Sequence, residues 1–569
     1  MATIRAFSHK EITPQNTHLS SFKVLIESAF YGNNVTWIHD LATAYHLAKE
    51  SSGAILTDMP VTHTKELGLP EDAKVIVFND GKVVGRTAAA RRIIGHPGIQ
   101  RELYEDILRD ALYQGTRKQF YGGEVVVGLD EAFMVKAHLL IPEHYESNFY
   151  SYLLNFQLMT KSWEERYQRS KEYPETDIFL YADPDWSHPD FPYGLSLFDP
   201  EHNVAAVLGL NYFGELKKAT LTLAWATAHR HGYFTSATFL ADSAHRHGFV
   251  ACHGGMKQYQ LPNRTFTMAA FGLSGSGKST ITLAEHGGKY EIKVLHDDAF
   301  VINQTSGAST ALEPSYFDKT QDYPLTNPNV RYFITCQNVG VTLDEKGKKV
   351  LVTQDIRNGN GRTVKSRYVT PNRVDHLDSP IDAVFWIMKD DTLPPVVKID
   401  DPILAAVFGL TLATKRTTAE QIVETTDIDK LVIEPYANPF RVYPLGEDFA
   451  HFMHLFKENQ TACYILNTGF YKDKKVTPEV TLTSIEKIVE GEAKFKNFGG
   501  ITEMSFLPVT GFKVDFQDAS YVAHLRERMQ GRLDFILAQE TENDGYNKLP
   551  KEVATAMEKV ISTLSELPS

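Results

Sequence analysis

The chain has 569 residues, 43% of them hydrophobic, and 58 Lys and Arg against 71 Asp and Glu give a net charge of −13. That length exceeds one typical core and fits two or three domains, and an acidic balance without a long Lys/Arg run sets nucleic acid and anionic membrane aside as main partners. Cys252, Cys336 and Cys463 lack Cys-x-x-Cys spacing, so neither a disulfide framework nor structural zinc is expected. The amino terminus shows no apolar signal region and no run reaches the ~18 residues of a membrane span, so a reducing, cytoplasmic setting is expected.

In chain order, helical spacing is expected at 40–50, and the run Val75-Ile-Val-Phe-Asn79-Asp80-Gly81-Lys-Val-Val predicts a hairpin that delivers Gly85-Arg86. Helix returns at 100–114, strands at 121–142, and one helix is expected over 144–167 before a Pro- and aromatic-rich loop near 183–192. A helix starting near Gly214 runs through Lys217, Lys218 and Trp225, and 229–247 looks like a His- and Ala-rich connector. Later come strands at 265–271, 291–296, 383–388 and 462–466, helices at 403–412, 447–459 and 483–490, and two amphipathic helices within 520–537 and 550–567. No internal repeat is visible.

The chemistry concentrates after the strand at 265–271, where the chain reads Gly272-Leu-Ser-Gly-Ser-Gly277-Lys278-Ser279-Thr280. Glycines allow a turn tight enough to aim backbone N–H groups at phosphate oxygens, Lys278 adds a mobile positive charge, and Ser279 offers a hydroxyl to magnesium. A second strand ends in Asp297-Asp298, hard oxygen ligands suited to a phosphate-bound divalent cation. Alone, such paired acids more often form turns; coupled to the glycine loop they point to nucleoside triphosphate handling.

Taken together, these motifs resemble ATP-dependent phosphoenolpyruvate carboxykinase over about residues 75–540. The sharpest segments are Tyr212-Phe-Gly-Glu-Leu-Lys217-Lys218 and Phe271-Gly-Leu-Ser-Gly-Ser-Gly-Lys-Ser. Gly85-Arg86, the 248–253 segment, Asp297-Asp298, Arg367 four residues before Pro371, Leu393-Pro-Pro and Asn467-Thr-Gly follow in the family's order.

The resemblance implies a mixed α/β (α+β) two-domain fold with an active cleft between a substrate-binding domain, 1–247, and a P-loop nucleotide-binding domain, 248–569. It implies reversible, metal-dependent conversion of oxaloacetate and ATP to phosphoenolpyruvate, carbon dioxide and ADP, an activity of gluconeogenesis or anaplerosis. The implied cofactors are ATP, Mn2+ and Mg2+, and the partners are small molecules acting on a monomer. Lys218, His253 and Asp298 would hold manganese, and Ser279 the nucleotide's magnesium. Arg86, Tyr212, Lys218 and Arg367 would grip oxaloacetate or phosphoenolpyruvate. Lys278, Ser274, Arg367, Lys218 and Asp297 form the implied catalytic set. Gly272, Leu273, Ser274, Gly275, Ser276, Gly277, Lys278, Ser279 and Thr280 would cradle phosphate, with Lys475 and Thr481 at the adenine. As a metal ligand Lys218 needs a depressed pKa, toward which neighbouring Lys217 and the cation both push.

Taken singly, the same residues have plainer uses: a solvated helix face for Lys217 and Lys218, a hairpin cap for Arg86, core packing for Tyr212, a salt bridge for Arg367. The chain also departs from the family pattern. Ala299 follows Asp298 where Glu is expected, Thr87-Ala-Ala-Ala90 replaces Ser-Pro-Lys-Asp, no lysine occurs in 306–313 where the phosphate lid is sought, and about 16 extra residues fill 231–247. Two alternatives therefore stay open: a carboxykinase-like kinase acting on another small molecule or a protein hydroxyl, and a non-catalytic ATP sensor.

Overall fold

The structure, a computed structural model, describes residues 9–10, 13, 20–79, 81, 90–170, 177–234, 248–273, 275–354, 360–415 and 431–567, without the side chains of 231–234 and 415. Two compact units account for the chain: Met1–Ala244 with Ala311–Pro371 and Thr418–Thr426, and His245–Thr310 with Asn372–Thr417 and Asp427–Ser569. Elements of both classes alternate throughout, giving the mixed α/β class expected.

The first unit is built on an eight-stranded sheet: seven strands run in the order Val35–Trp37, Phe120–Asp130, Phe133–Pro142, Ile178–Asp183, Val204–Leu208, Leu195–Asp199, Ala90–Ile93, and Gln157–Leu158 pairs with Phe120–Asp130 off this path. Its strands are apolar on both faces because helices cover both. Alternate residues Phe179, Tyr181, Val204, Ala206 and Leu208 meet Phe22, Ile26, Tyr104 and Leu108 of helices Ser21–Ala29 and Arg101–Gly115. The opposite face carries helices Glu146–Asn155 and Phe213–Phe234; a Cβ on Gly123 would lie 2.9 Å from the Phe149 ring. A second, five-stranded sheet runs Tyr316–Lys319, Arg362–Lys365, Phe333–Gln337, Lys74–Phe78, Ala54–Pro60.

Three expectations change here. The run 74–78 pairs antiparallel with Ala54–Pro60 and parallel with Phe333–Gln337; residues 80 and 82–89, the rest of the expected hairpin, lie outside the described residues. The single helix expected over 144–167 is two, Glu146–Asn155 and Lys161–Arg169. Phe156 is extended, Gln157–Leu158 pair with Val125 and Val126, and the Thr160 hydroxyl accepts from Trp163 N–H to start the next helix. The helix carrying Lys217 and Lys218 continues into the presumed connector as far as Phe234.

The second unit carries an 11-stranded sheet. At its centre Arg264–Phe271, Ala383–Met388 and Ala462–Asn467 run parallel, with Phe271 opposite Trp386 and Met388 opposite Asn467. Their carboxyl ends therefore open on one edge, where ligands gather in parallel sheets. Helix Pro402–Leu410 is buried almost all round, and Pro478–Glu490, with Pro478 at its first position, begins five residues before the helix expected there. Among the described residues no helix is long and apolar enough to cross a membrane. All three cysteines are buried thiols.

Candidate active site

Strand Arg264–Phe271 leads into a turn whose Gly275 and Gly277 have φ of 80° and 98°, left-handed values that cost other residues about 1–2 kcal/mol. Gly272 serves close approach: a Cβ there would fall 2.3 Å from Ser276 Oγ. Ser276 N–H donates to the Leu273 carbonyl at 3.0 Å, and Thr468 Oγ1 donates to the Ser276 carbonyl at 2.7 Å, so the Asn467-Thr468-Gly469 loop braces the turn. Helix Lys278–Leu283 follows at once. Its first amides have no carbonyl partners in their own helix and suit phosphate oxygens. Ser279 is partly exposed and Thr280 exposed; Ser274 lies outside the described residues.

One face of strand Phe249–Leu261 lies along this helix. His253, Gly255, Lys257 and Tyr259 alternate onto it, as strand geometry requires. Lys278 Nζ lies 3.1 Å from Asp298 Oδ1 and 3.5 Å from His253 Nε2, and His253 Nε2 is 3.1 Å from the same Asp298 oxygen. Three of the residues singled out from sequence thus meet in one unit. Asp297 is buried beside them in sequence, its Oδ1 4.0 Å from His296 Nδ1.

The state of His253 follows from its other contacts. Nδ1 donates to the Ala437 carbonyl, which leaves the Nε2 lone pair facing Asp298 and Lys278. Burial lowers the imidazole pKa, the Lys278 charge lowers it further, and Asp298 opposes both; a neutral ring results at neutral pH. Ala437 and its neighbour Tyr436 both sit in the left-handed region, φ 53° and 54°, held where the Tyr436 ring stacks on Phe452 at 4.6 Å. A neutral imidazole and a carboxylate about 3 Å apart match adjacent ligands on an octahedral cation with ~2.1 Å bonds. The donor set therefore fits a divalent cation. Among the described residues no group of three or more His, Cys, Asp or Glu is disposed to hold a metal.

In the first unit Tyr212 is 4% exposed, and Lys218 Nζ lies 5.9 Å from its ring centroid and 3.2 Å from Glu215 Oε1. Gln337 locks the start of this helix: its Oε1 accepts from Phe213 N–H and its Nε2 donates to the Asn211 carbonyl, both at 3.1 Å. Gly81 packs on the same side chain, a Cβ there falling 1.9 Å from Gln337 Nε2, and Asn338 Nδ2 donates to the Gly81 carbonyl at 2.6 Å. The segment leading to Arg86 thus starts beside Tyr212, though Arg86 itself lies outside the described residues. Arg367 opens a 3-10 turn after strand Arg362–Lys365 and is partly exposed.

One sequence argument needs correcting. Lys217 was expected to push on Lys218 with a bare charge, yet its Nζ lies 2.8 Å from Glu313 Oε1 in a buried ion pair, so its field is compensated. Asn155 Nδ2 donates to the other Glu313 oxygen at 2.6 Å. The stretch 306–313, which holds no lysine, supplies this carboxylate and the buried strand Ser309–Ala311. On the presumed adenine side, Lys475 is exposed, and Thr481 is buried with its hydroxyl donating to the Thr477 carbonyl at 3.3 Å.

Residues 62–506 match the family model for phosphoenolpyruvate carboxykinase. The chain belongs to the phosphoenolpyruvate carboxykinase family. A curated relative, "Phosphoenolpyruvate carboxykinase (ATP)" of Aeropyrum pernix, is 25% identical over 311 residues, which cover 53% of this chain and 59% of that protein. This chain therefore spans about 59% of the length of the carboxykinase it is compared with. The glycine loop, His253, Lys278, Asp298, the 212–218 segment and Arg367 all lie within the family match.

Sequence reasoning missed Gln337, Glu313 and the Ala437 carbonyl. Gln337 and Glu313 act across more than 90 residues of chain, 124 for the Phe213 contact alone. Ala437 contributes only a backbone atom, which leaves no mark in residue identity. Thr468 had a signal, the strand-to-loop edge at 467–469.

Proposed function

We propose that this chain is an ATP-dependent phosphoenolpyruvate carboxykinase, converting oxaloacetate and ATP reversibly to phosphoenolpyruvate, carbon dioxide and ADP. The observation that carries the reading is the convergence of the phosphate-loop Lys278 with His253 and Asp298 on one carboxylate oxygen. In this reading Lys278 contacts the γ-phosphate while His253 and Asp298 ligate the divalent cation beside it.

In this reading the carbon–carbon bond to the departing carboxylate of oxaloacetate breaks, carbon dioxide leaves, and the bonding electrons become the enolate of pyruvate. The enolate oxygen then attacks the γ-phosphorus as the bond to the β-phosphate oxygen breaks and ADP departs. A divalent cation, when bound, stabilises negative charge developing on substrate oxygen. His253 holds its proton on Nδ1 and presents Nε2; Asp298 adds a charged oxygen; Lys278 follows the phosphoryl oxygens; Ser279 serves the nucleotide's magnesium. Phosphoryl transfer needs alignment and charge neutralisation above all. Lys218 as a third manganese ligand, and Arg86, Tyr212 and Arg367 as the carboxylate grip, rest on their places in the family's segments. Cytoplasmic location, a monomeric state and the assignment of substrate and nucleotide roles to 1–247 and 248–569 belong to the same reading.

The test is a coupled assay with phosphoenolpyruvate, bicarbonate, ADP and Mn2+, following oxaloacetate. Steady ADP-dependent turnover is expected; ATP binding without any turnover overturns the reading. The replacements at Ala299 and Thr87–Ala90 favour a second reading, a kinase for another acceptor; labelled phosphate moving from ATP to such an acceptor without decarboxylation would establish it.

A further inference from the structure

Four residues beyond His253 on the same strand, Lys257 is completely buried. Its Nζ donates to the carbonyls of Ile281 at 2.7 Å and Ala284 at 3.1 Å, the end of the phosphate-loop helix, and lies 3.1 Å from His286 Nε2. An amine here donates to carbonyls that a helix end leaves open. His286 is buried too; its Nδ1 donates to Glu486 Oε1 at 2.8 Å, and Nε2 also faces Tyr259 Oη at 2.9 Å. Glu486 projects from helix Pro478–Glu490. Lys289 and Tyr290 add contacts to Glu490 on that helix, at 2.6 and 2.8 Å.

An unbroken polar chain therefore runs from the carbonyl end of the phosphate-loop helix, through Lys257 and His286, to the helix bearing Thr481. Hydrophobic packing already joins the two helices, with Ile281, Ile485 and Ile488 in one cluster. Packing of that kind is non-directional and does not by itself demand a buried lysine, which is costly to bury. The relay fixes what packing leaves loose, the register of one helix against the other.

We propose that Lys257, His286 and Glu486 are positioning residues that set the spacing between the phosphate turn and the helix Pro478–Glu490, and so select nucleoside triphosphates over bare polyphosphate. This rests on the reading of Thr481 as an adenine-side residue. A ligand that reaches both helices feels the spacing; one confined to the glycine loop does not.

The experiment measures dissociation constants of magnesium ATP and magnesium tripolyphosphate for the full-length protein by calorimetry. Neither ligand requires oxaloacetate, so the result is independent of whether the carboxykinase reaction occurs. Glu486→Leu, at a side chain only 24% exposed, is expected to weaken ATP about tenfold, the worth of one charge-assisted hydrogen bond. Tripolyphosphate is expected to change less than about twofold. Lys257→Met should weaken ATP by a similar factor, and the double variant should lose no more than either single change, as links in series do. Equal weakening of both ligands in Glu486→Leu, additive losses, or a native protein with no preference for ATP would each overturn the proposal. Should Lys257→Met fail to fold, the Glu486→Leu comparison alone decides.

Discussion

The phosphate turn and the Tyr212 segment carry the two halves of the proposed chemistry and are built by different means. The turn at 272–280 is local: two left-handed glycines, one glycine kept bare by Ser276, and a helix that begins at once. The start of helix Phe213–Phe234 is assembled from afar, by Gln337 on its backbone, Glu313 on Lys217 and Gly81 against the same glutamine. A backbone site tolerates little change at its glycines but survives remote substitution. A site held by distant side chains should fail when any one of those partners is removed.

The largest expected effect falls on the second kind of site. Lys217→Met removes the Lys217 ammonium from the fully buried Glu313 carboxylate, which costs about 3–5 kcal/mol, while Lys217→Met with Glu313→Leu should recover most of it. Urea unfolding of the single and double variants measures the difference; equal loss in both would mean the pair does not hold this segment. Next comes Lys278→Met, for which a fall of about 10²–10³ in kcat is expected with stability little changed, as for other lost transition-state donors. A kcat within about twofold of native would remove Lys278 from phosphoryl transfer.

Gly277→Ala follows, at φ 98° with, among the described residues, only Thr468 Cγ2 nearby at 3.9 Å. Steric space is ample, so strain alone acts, and a loss of about 1–2 kcal/mol is expected. The matching change at Gly531, in helix Ala519–Ala538 with nothing among the described residues within reach of a Cβ, should instead stabilise slightly. Opposite signs at the two glycines sharpen the claim that the turn is a backbone device.

The last effect is a slope rather than a step. Burial pulls the Lys257 ammonium from 10.5 down to about 7, with Glu486 pulling the other way; His286, Tyr259, Tyr290 and Lys289 also face the cluster. Between about pH 7 and 10.5 the unfolded chain keeps a proton that the folded one has released, so stability rises with pH across that window. The contribution is at most about 1.4 kcal/mol per pH unit. Below pH 7 both states hold the proton and the slope from this group vanishes. Lys257→Met should flatten the rise measured by urea unfolding between about pH 7 and 9; an unchanged slope would mean the lysine is not desolvated as the geometry has it.

What the amino-acid order disclosed follows the same division. The glycine loop, its flanking strand and helix, and the acids at 297–298 were legible because φ > 0 and phosphate contact restrict residue type over a few consecutive positions. The helix through Lys217 and Lys218 was legible as far as Trp225; its last turns were hidden by a His- and Ala-rich stretch in which Gly232 reads as an early stop. The break at 156–160 was not legible, since Phe156, Gln157 and Leu158 continue an apolar rhythm and only pairing with Val125 and Val126 makes them extended. Nor was the partnership of 74–78 with 333–337, where Thr335 Oγ1 reaches the Ile76 carbonyl across 259 residues. His253 was found through its segment, yet the carbonyl that orients its ring belongs to Ala437, 184 residues away.

The central claim is that phosphate transfer here is tied to carboxylation. Its most direct test follows ATP formation from phosphoenolpyruvate and ADP with Mn2+, with bicarbonate present and then rigorously removed. The carboxykinase account predicts one ATP formed for each carbon dioxide fixed and none when carbon dioxide is withheld; ATP formation that continues at the same rate without it would contradict that account.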